Sequence, residues 1–315
     1  MTIHIAHKTL DAIDNSIEKD QGSSFRGWLG KVIPHIGDAY REGEEPFRTH
    51  LGASILGNEC ARAVWYNFRW ATRPHFNGRM MRLFNRGHLE EARFIACLLS
   101  IGVQVYQQDE NGKQYRISFA EGHAGGSGDG VGVNLPDLTT GVPALLEFKT
   151  HSEKSFIELA GKLDEWRKFR LGKGNFTGQG VRVAKFEHYV QMNLYMRKMG
   201  LSCALYGAVC KNTDDLYMEI VTLDTDIADR FLDRGDRIVW LKQAPKKLNE
   251  SQGFFKCRFC DHRAVCHLKH TPDVNCRTCA YSEPIAGAKW FCNKHMKELS
   301  KENQFEGCGS WTVGI

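Results

Sequence analysis

The segment "ALLEFKT", Ala144 to Thr150, admits few folds. Its apolar residues mark a strand, yet Glu147 and Lys149 stand two residues apart and so project to one face, with Leu146 and Phe148 on the other. Such a strand needs a core under one face and a polar site on the other. Upstream, "GSGDGVGV" sets Asp129 between glycines at the start of a further strand, and two adjacent strands would bring Asp129 beside Glu147. A carboxylate pair of this kind suits Mg²⁺ or Mn²⁺, hard cations that take oxygen ligands. Lys149 then stands where it can orient or deprotonate an attacking water, the equipment of phosphodiester hydrolysis. From these residues alone, a surface Glu–Lys pair on an edge strand is the favoured reading, since Glu-x-Lys is very common.

Two nearby features invite other assignments. Pro136 and Asp137 spell a proline–aspartate pair, but "PDLTTGVP" is turn chemistry, so Asp137 is expected at a hairpin tip away from the metal. The glycines from Gly125 to Gly132 lack the Lys-Ser/Thr and the helix of a phosphate-binding loop and read as a lead into a strand.

The 315 residues are 42% hydrophobic and 25% charged, ordinary for a globular protein, with a net charge of +5 that permits a nucleic-acid partner without demanding one. No stretch has the apolar length of a membrane span, and the polar start is unlike an export signal, so a cytoplasmic protein is expected. Helical patterns run through "LDAIDNSIEK", "SILGNECARAVWYNFRW" with Ser54 as N-cap, and "RGHLEEARFIACLLSIG". A polar stretch follows the first of these, at 41–50. After "ALLEFKT" come a basic loop, the helix "HYVQMNLYMRKMG", a strand pair at "CALYGAVCKN" and "LYMEIVTL", and a long helix, "DIADRFLDRGDRIVWLKQ". Trp65 and Trp70 recur with helical spacing and read as core.

These elements fall in a telling order. Glu91 lies on a helix, Asp129 and Glu147-x-Lys149 on strands, and Gln191 and Tyr195 one turn apart on a later helix. That order resembles the PD-(D/E)XK nuclease superfamily, in particular its RecB-like and phage-exonuclease branch, from about Leu51 to Cys266. The resemblance implies an α/β fold with a mixed central sheet flanked by helices. It casts Asp129 and Glu147 as metal ligands, Glu91 as their support, Lys149 as catalytic lysine, and Gln191 and Tyr195 as lining of the cleft near the DNA backbone. One departure is Gly128 where the family has proline.

Eleven cysteines without an export signal point to metal rather than disulfides. Cys97, Cys203 and Cys210 sit in apolar surroundings and read as core. "CRFCDHRAVC" supplies Cys257, Cys260 and Cys266, one short of a four-thiolate site, and Cys60 far upstream is the candidate fourth. This split resembles the iron–sulfur nucleases of the AddB and CRISPR-adaptation type, and the resemblance implies a [4Fe-4S] cluster that staples the chain. Zinc held by the same residues with His262 or His267 remains open. "CRTCAYSEPIAGAKWFCNKH" then gives Cys276, Cys279 and Cys292, with His295 and Cys308 beyond. The three thiols plus Cys308, or His295 in its place, read as a structural zinc site that would fold a tail too small for its own core.

The expected organisation is a helical extension over 1–50, a nuclease domain over 51–270 and a zinc-binding tail over 271–315. The expected activity is Mg²⁺- or Mn²⁺-dependent hydrolysis of DNA, exonucleolytic, in recombination, repair or phage replication. DNA single strands or duplex ends are the expected partners, with a recombination or replication protein for the tail. Arg167, Lys168, Arg170, Lys173, Arg182 and Lys185, interleaved with Phe169, Phe176 and Phe186, are candidates for phosphate contact and stacking, or a solvated loop. The alternatives are a catalytically silent DNA-binding or assembly module on the same fold, and an RNA nuclease.

Overall fold

The computed structural model describes residues 2–42, 47–110 and 113–315, so part of the polar stretch at 41–50 lies outside the described residues. The chain divides into two compact units, each assembled from three stretches far apart in sequence. The first comprises Met1–Gly43, Phe76–Arg116 and Ser127–Ala228; the second comprises Glu44–His75, Ile117–Gly126 and Asp229–Ile315. No helix among the described residues is long and apolar enough to cross a membrane.

The first unit is a mixed α/β layer structure. Its six-stranded sheet runs His4–Ile5, Leu216–Thr222, Cys203–Cys210, Pro143–His151, Gly130–Val133, Gln104–Tyr106. Pro143–His151 pairs parallel with Cys203–Cys210, and its other neighbour is antiparallel. A parallel pair needs a long crossover. The helices Glu153–Ala160, Leu163–Arg170, Gly180–Ala184 and Phe186–Met199 supply it. Three of them occupy the stretch expected as a basic loop. Ser152 starts the first of these by accepting the Ser155 N–H at 3.4 Å, and Gly161, at φ 89°, ends it. Helix Gly78–Ser100 packs on the opposite side of the sheet, where Phe94 stacks on Phe148 at 4.8 Å and 2° between planes.

Helix His7–Asp20 has Ala6 at its N-cap and no cap of its own. Asp137 provides one from 128 residues away: its carboxylate accepts the Lys8 N–H at 3.1 Å, the Thr9 N–H at 2.7 Å and the Thr9 hydroxyl at 2.7 Å. Asp137 thus stands in a turn, as its sequence suggests, and is occupied as a helix cap.

The second unit rests on aromatic side chains and two buried arginines. Helix Ala61–Phe68 buries Val64, Trp65, Tyr66 and Phe68, and Trp70 is buried beyond its end. Its N-cap is Cys60, whose sulfur accepts the Ala63 N–H at 3.4 Å, in place of the expected Ser54, which lies in a separate short turn. Arg277, 2% exposed, lies 3.8 Å over the Trp70 ring and donates to the carbonyls of Phe68 (3.2 Å) and Thr49 (2.8 Å) and to Gln304 Oε1 (2.9 Å). Arg69, equally buried, donates to the carbonyls of Arg277, Ser282 and Leu241. Neither has a carboxylate salt bridge among the described residues; backbone carbonyls and ring faces take the place of counter-ions. A three-stranded sheet of Ser282–Ile285, Lys289–Cys292 and Lys297–Leu299 closes the tail.

Candidate active site

Strand register assembles the acidic site of the first unit. Gly130 pairs with Leu146, so one further step places Asp129 opposite Glu147. Gly130 makes that step feasible: its φ is +149°, and a Cβ there would meet the Tyr106 carbonyl oxygen at 2.8 Å. Asp129 is tied to the partner strand by accepting the Phe148 N–H at 2.7 Å.

Glu147 is 0% exposed; its Oε1 is ion-paired with Lys149, whose side chain remains 27% exposed, and its Oε2 has no hydrogen-bond partner among the described residues. Burial, with Asp129 repelling it, pushes the Glu147 carboxyl up to about 7 against the pull of Lys149. Burial likewise raises Asp129, opposed by Lys149 and the Phe148 N–H. Burial, then Asp129 and Asp38, push Glu91 up to about 8. For Lys149, burial works against the charge, but Glu147, Asp129 and Glu91 outweigh it and hold the ammonium above its usual value. The structure therefore brings Glu91, Asp129, Glu147 and Lys149 into one electrostatic cluster. Gln191 and Tyr195 lie buried, one turn apart, on Phe186–Met199.

Three neighbours of this cluster give little sign of themselves in the sequence. Asp38, in the turn Gly37–Ala39, acts on both Glu91 and Asp129. His88, one turn before Glu91, lowers the Asp129 carboxyl. Tyr206 pairs in register with Glu147 and holds His151 and His188 on its hydroxyl. His88 and His188 had the one legible signal, each standing three residues before an expected site residue, Glu91 and Gln191, on the same helix.

The donor set fits a hard divalent cation in its chemistry: a buried carboxylate with one oxygen unpartnered and a second carboxylate across the register. Among the described residues, no group of three or more His, Cys, Asp or Glu side chains forms a ready-made metal-binding arrangement.

The same holds for the thiols of the second unit, although they gather as two sets. Cys60 and Cys266 act electrostatically on both Cys257 and Cys260, whose thiols are raised first by burial and then by those neighbours. These four thiols thus act on one another electrostatically without forming a ready-made metal site among the described residues. His262, 3% exposed with its Nδ1 buried and unpartnered, leaves a zinc site open. In the tail, Cys276, Cys279, Cys292, His295 and Cys308 line a cavity of about 240 Å³. Burial, then Cys308, Cys279 and Cys292, push the Cys276 thiol up to about 11. Cys308 Sγ lies 3.6 Å from His295 Nε2, so both expected fourth ligands stand at the same cavity.

The basic residues of 167–185 are less available than their sequence suggests. Arg167 pairs with Asp215, Arg170 with Asp11 and Asp14, Arg182 with Asp224, and Lys185 with Glu158. Phe169 and Phe176 pack against Trp166 and each other rather than standing out as stacking platforms.

No family model matches the chain, and no curated protein matches it. Among solved structures, the alkaline exonuclease LHK-Exo from Laribacter hongkongensis is similar at 13% identity, over 60% of this chain and 86% of that one, with a TM-score of 0.38. LHK-Exo in complex with dAMP matches at 15% identity with the same coverage and TM-score. SSO0001 matches at 15% identity over 80% of this chain and 100% of that one, with a TM-score of 0.33.

Proposed function

We propose that the chain is a divalent-cation-dependent nuclease that hydrolyses DNA phosphodiesters from strand ends, on single strands or duplex ends, in recombination, repair or phage replication. The observation that carries this reading is the fully buried Glu147 carboxylate, its Oε1 paired with Lys149, its Oε2 without a partner among the described residues, and Asp129 across the register. A purely structural Glu–Lys pair has no need to be buried beside two further carboxylates, whose repulsion it must bear.

When bound, Mg²⁺ or Mn²⁺ supplies Lewis-acid stabilisation of charge on the phosphate and activates water. Asp129 and Glu147 would hold it, with Glu91 as the third carboxylate. Lys149 keeps its proton under the influence of three carboxylates, so it acts as a cation that orients the attacking water and offsets developing negative charge. Gln191 and Tyr195 are assigned to the cleft beside the DNA backbone. Cys60, Cys257, Cys260 and Cys266 are assigned to a [4Fe-4S] cluster within 51–270. Cys276, Cys279, Cys292 and Cys308 are assigned to zinc in 271–315, a tail suited to contact DNA or a protein partner.

A silent nucleic-acid-binding module is the second reading, favoured by the direct Lys149–Glu147 pairing and by the lack of three-group convergence. Incubation of anaerobically purified protein with Mg²⁺ and end-labelled DNA or RNA separates the readings. Release of mononucleotides from DNA supports the nuclease; binding without any cleavage supports the silent module; cleavage of RNA alone reassigns the substrate. The visible absorbance of the same sample tests the cluster, since a colourless protein with stoichiometric zinc rejects iron.

A further inference from the structure

We propose that His188 is a further substrate-contacting residue of this site, donating a hydrogen bond from Nε2 to the nucleic-acid backbone, and that Tyr206 and His151 are positioning residues that set its tautomer. The proposal rests on the nuclease reading of the carboxylate site.

The geometry is a chain of shared protons. Tyr206 is 0% exposed and pairs in register with Glu147, so the two side chains share a sheet face. Its hydroxyl lies 2.9 Å from His151 Nε2 and 2.9 Å from His188 Nδ1, and His151 Nδ1 lies 3.0 Å from Ser155 Oγ. A phenol has one proton. Where Tyr206 donates to one imidazole it accepts from the other, which links the two tautomers. If it donates to His188 Nδ1, then His151 donates to it from Nε2 and His188 carries its proton on Nε2. If it donates to His151, His188 presents a bare Nε2.

Three observations place His188 at the cleft, and a contact to the nucleic-acid backbone there calls for the first arrangement. His188 lies three residues before Gln191 and seven before Tyr195, on the helix face assigned to the cleft. Its Nε2 makes no hydrogen bond among the described residues, while Nδ1 is fixed. Lys149 acts electrostatically on His188, so the ring stands near the catalytic cluster. A phosphate oxygen arriving there needs a donor, and Nε2–H supplies one. The donor must also be uncharged, because an imidazolium would repel the cation that Asp129 and Glu147 would hold. Burial, then Lys149, push His188 down to about 3, and burial with Lys185 and Lys149 pushes His151 down to about 4. A lone imidazole on a helix would rotate; the buried phenol and the second imidazole fix this one.

The test combines imidazole ¹⁵N NMR with the affinity for a short single-stranded DNA in Ca²⁺, and with kcat and KM in Mg²⁺. Wild type is expected to show His188 as one neutral tautomer protonated at Nε2. His188→Ala should weaken DNA affinity and raise KM by roughly tenfold, the scale of one lost hydrogen bond to a charged group, with a smaller change in kcat. His188→Gln, which returns an N–H near Nε2, should recover most of the loss. Tyr206→Phe should mix the tautomers and raise KM with His188 still present. Lys149→Ala is the control that removes turnover while keeping DNA affinity. Wild-type affinity in His188→Ala, a proton on Nδ1, or an unchanged tautomer in Tyr206→Phe overturns the proposal. If wild type binds DNA through His188 yet cleaves nothing, the nuclease reading fails and the contact stands.

Discussion

The carboxylate site and the thiol sites are held by opposite means. Asp129, Glu147 and Lys149 lie on or beside strands whose register places them, and the backbone ladder does the positioning. Cys60 caps an eight-residue helix, Cys257 lies on a four-residue helix, Cys266 on a six-residue one, and Cys260 between the last two. Elements this short have little stability of their own. A site built on register can lose a functional side chain and keep its fold. A site built from short pieces is expected to be part of what holds those pieces.

The largest expected effect tests the first half of that contrast. Asp129→Ala, Glu147→Ala or Lys149→Ala should each lower Mg²⁺-dependent DNA cleavage by at least about a hundredfold with unchanged circular dichroism. Full activity in any of the three would sink the site.

The second half is tested by Cys60→Ser and Cys260→Ser, which should behave alike. Both should lose iron and colour, and both should lower stability by about 5 kcal/mol if the cluster closes the loop of roughly two hundred residues between Cys60 and Cys257. Retention of full iron by Cys60→Ser would detach it from the set. Cys276→Ser and Cys292→Ser should instead release zinc and leave iron in place.

Arg277→Ala sharpens the comparison within the second unit. It removes three hydrogen bonds and the contacts with the Phe68, Trp70 and Trp290 rings and should cost about 3 kcal/mol in denaturant unfolding. Metal content that is also lost would show that the arginine core and the thiol sites fold as one.

Asp137→Ala should cost about 1 kcal/mol, the usual value of a helix cap, and leave cleavage intact. An inactive but folded Asp137→Ala would return the proline–aspartate pair to the catalytic account. The smallest effect is electrostatic. Burial raises the Glu219 carboxyl, which accepts from the Tyr217 hydroxyl at 2.5 Å and the Val181 N–H at 2.9 Å. A raised folded-state value means that stability is full below the unfolded value near 4.5 and is lost as pH rises through the folded one. Glu219→Gln should therefore raise Tm more at pH 8 than at pH 4. An equal rise at both would assign the gain to packing.

The strand and helix patterns around the site were legible because each follows a period. The alternation in "ALLEFKT" marks a strand, and apolar recurrence marks Phe186–Met199. What escaped depends on partners remote in sequence. The helices within 153–184 are short and rich in charge, so their pattern resembles a loop, and their stability comes from caps and from ion pairs such as Arg167–Asp215. Asp137 reads as an idle turn residue because the helix end it caps is 128 residues away. Asp38 and Tyr206 join the site through folding alone, with no motif to announce them.

The six-stranded sheet ends on strands of two and three residues, His4–Ile5 and Gln104–Tyr106. An exposed edge recruits other chains in proportion to the length of unpaired backbone it offers. His4–Ile5, continued by the Ala6 N–H donating to the Met218 carbonyl, shields the seven-residue strand Leu216–Thr222. These few residues thus act as a guard against self-association. Deleting residues 1–6 should increase aggregation on standing, with little loss of the sheet's own hydrogen bonds, and light scattering on the full and shortened chains would measure how much the edge depends on so short a segment.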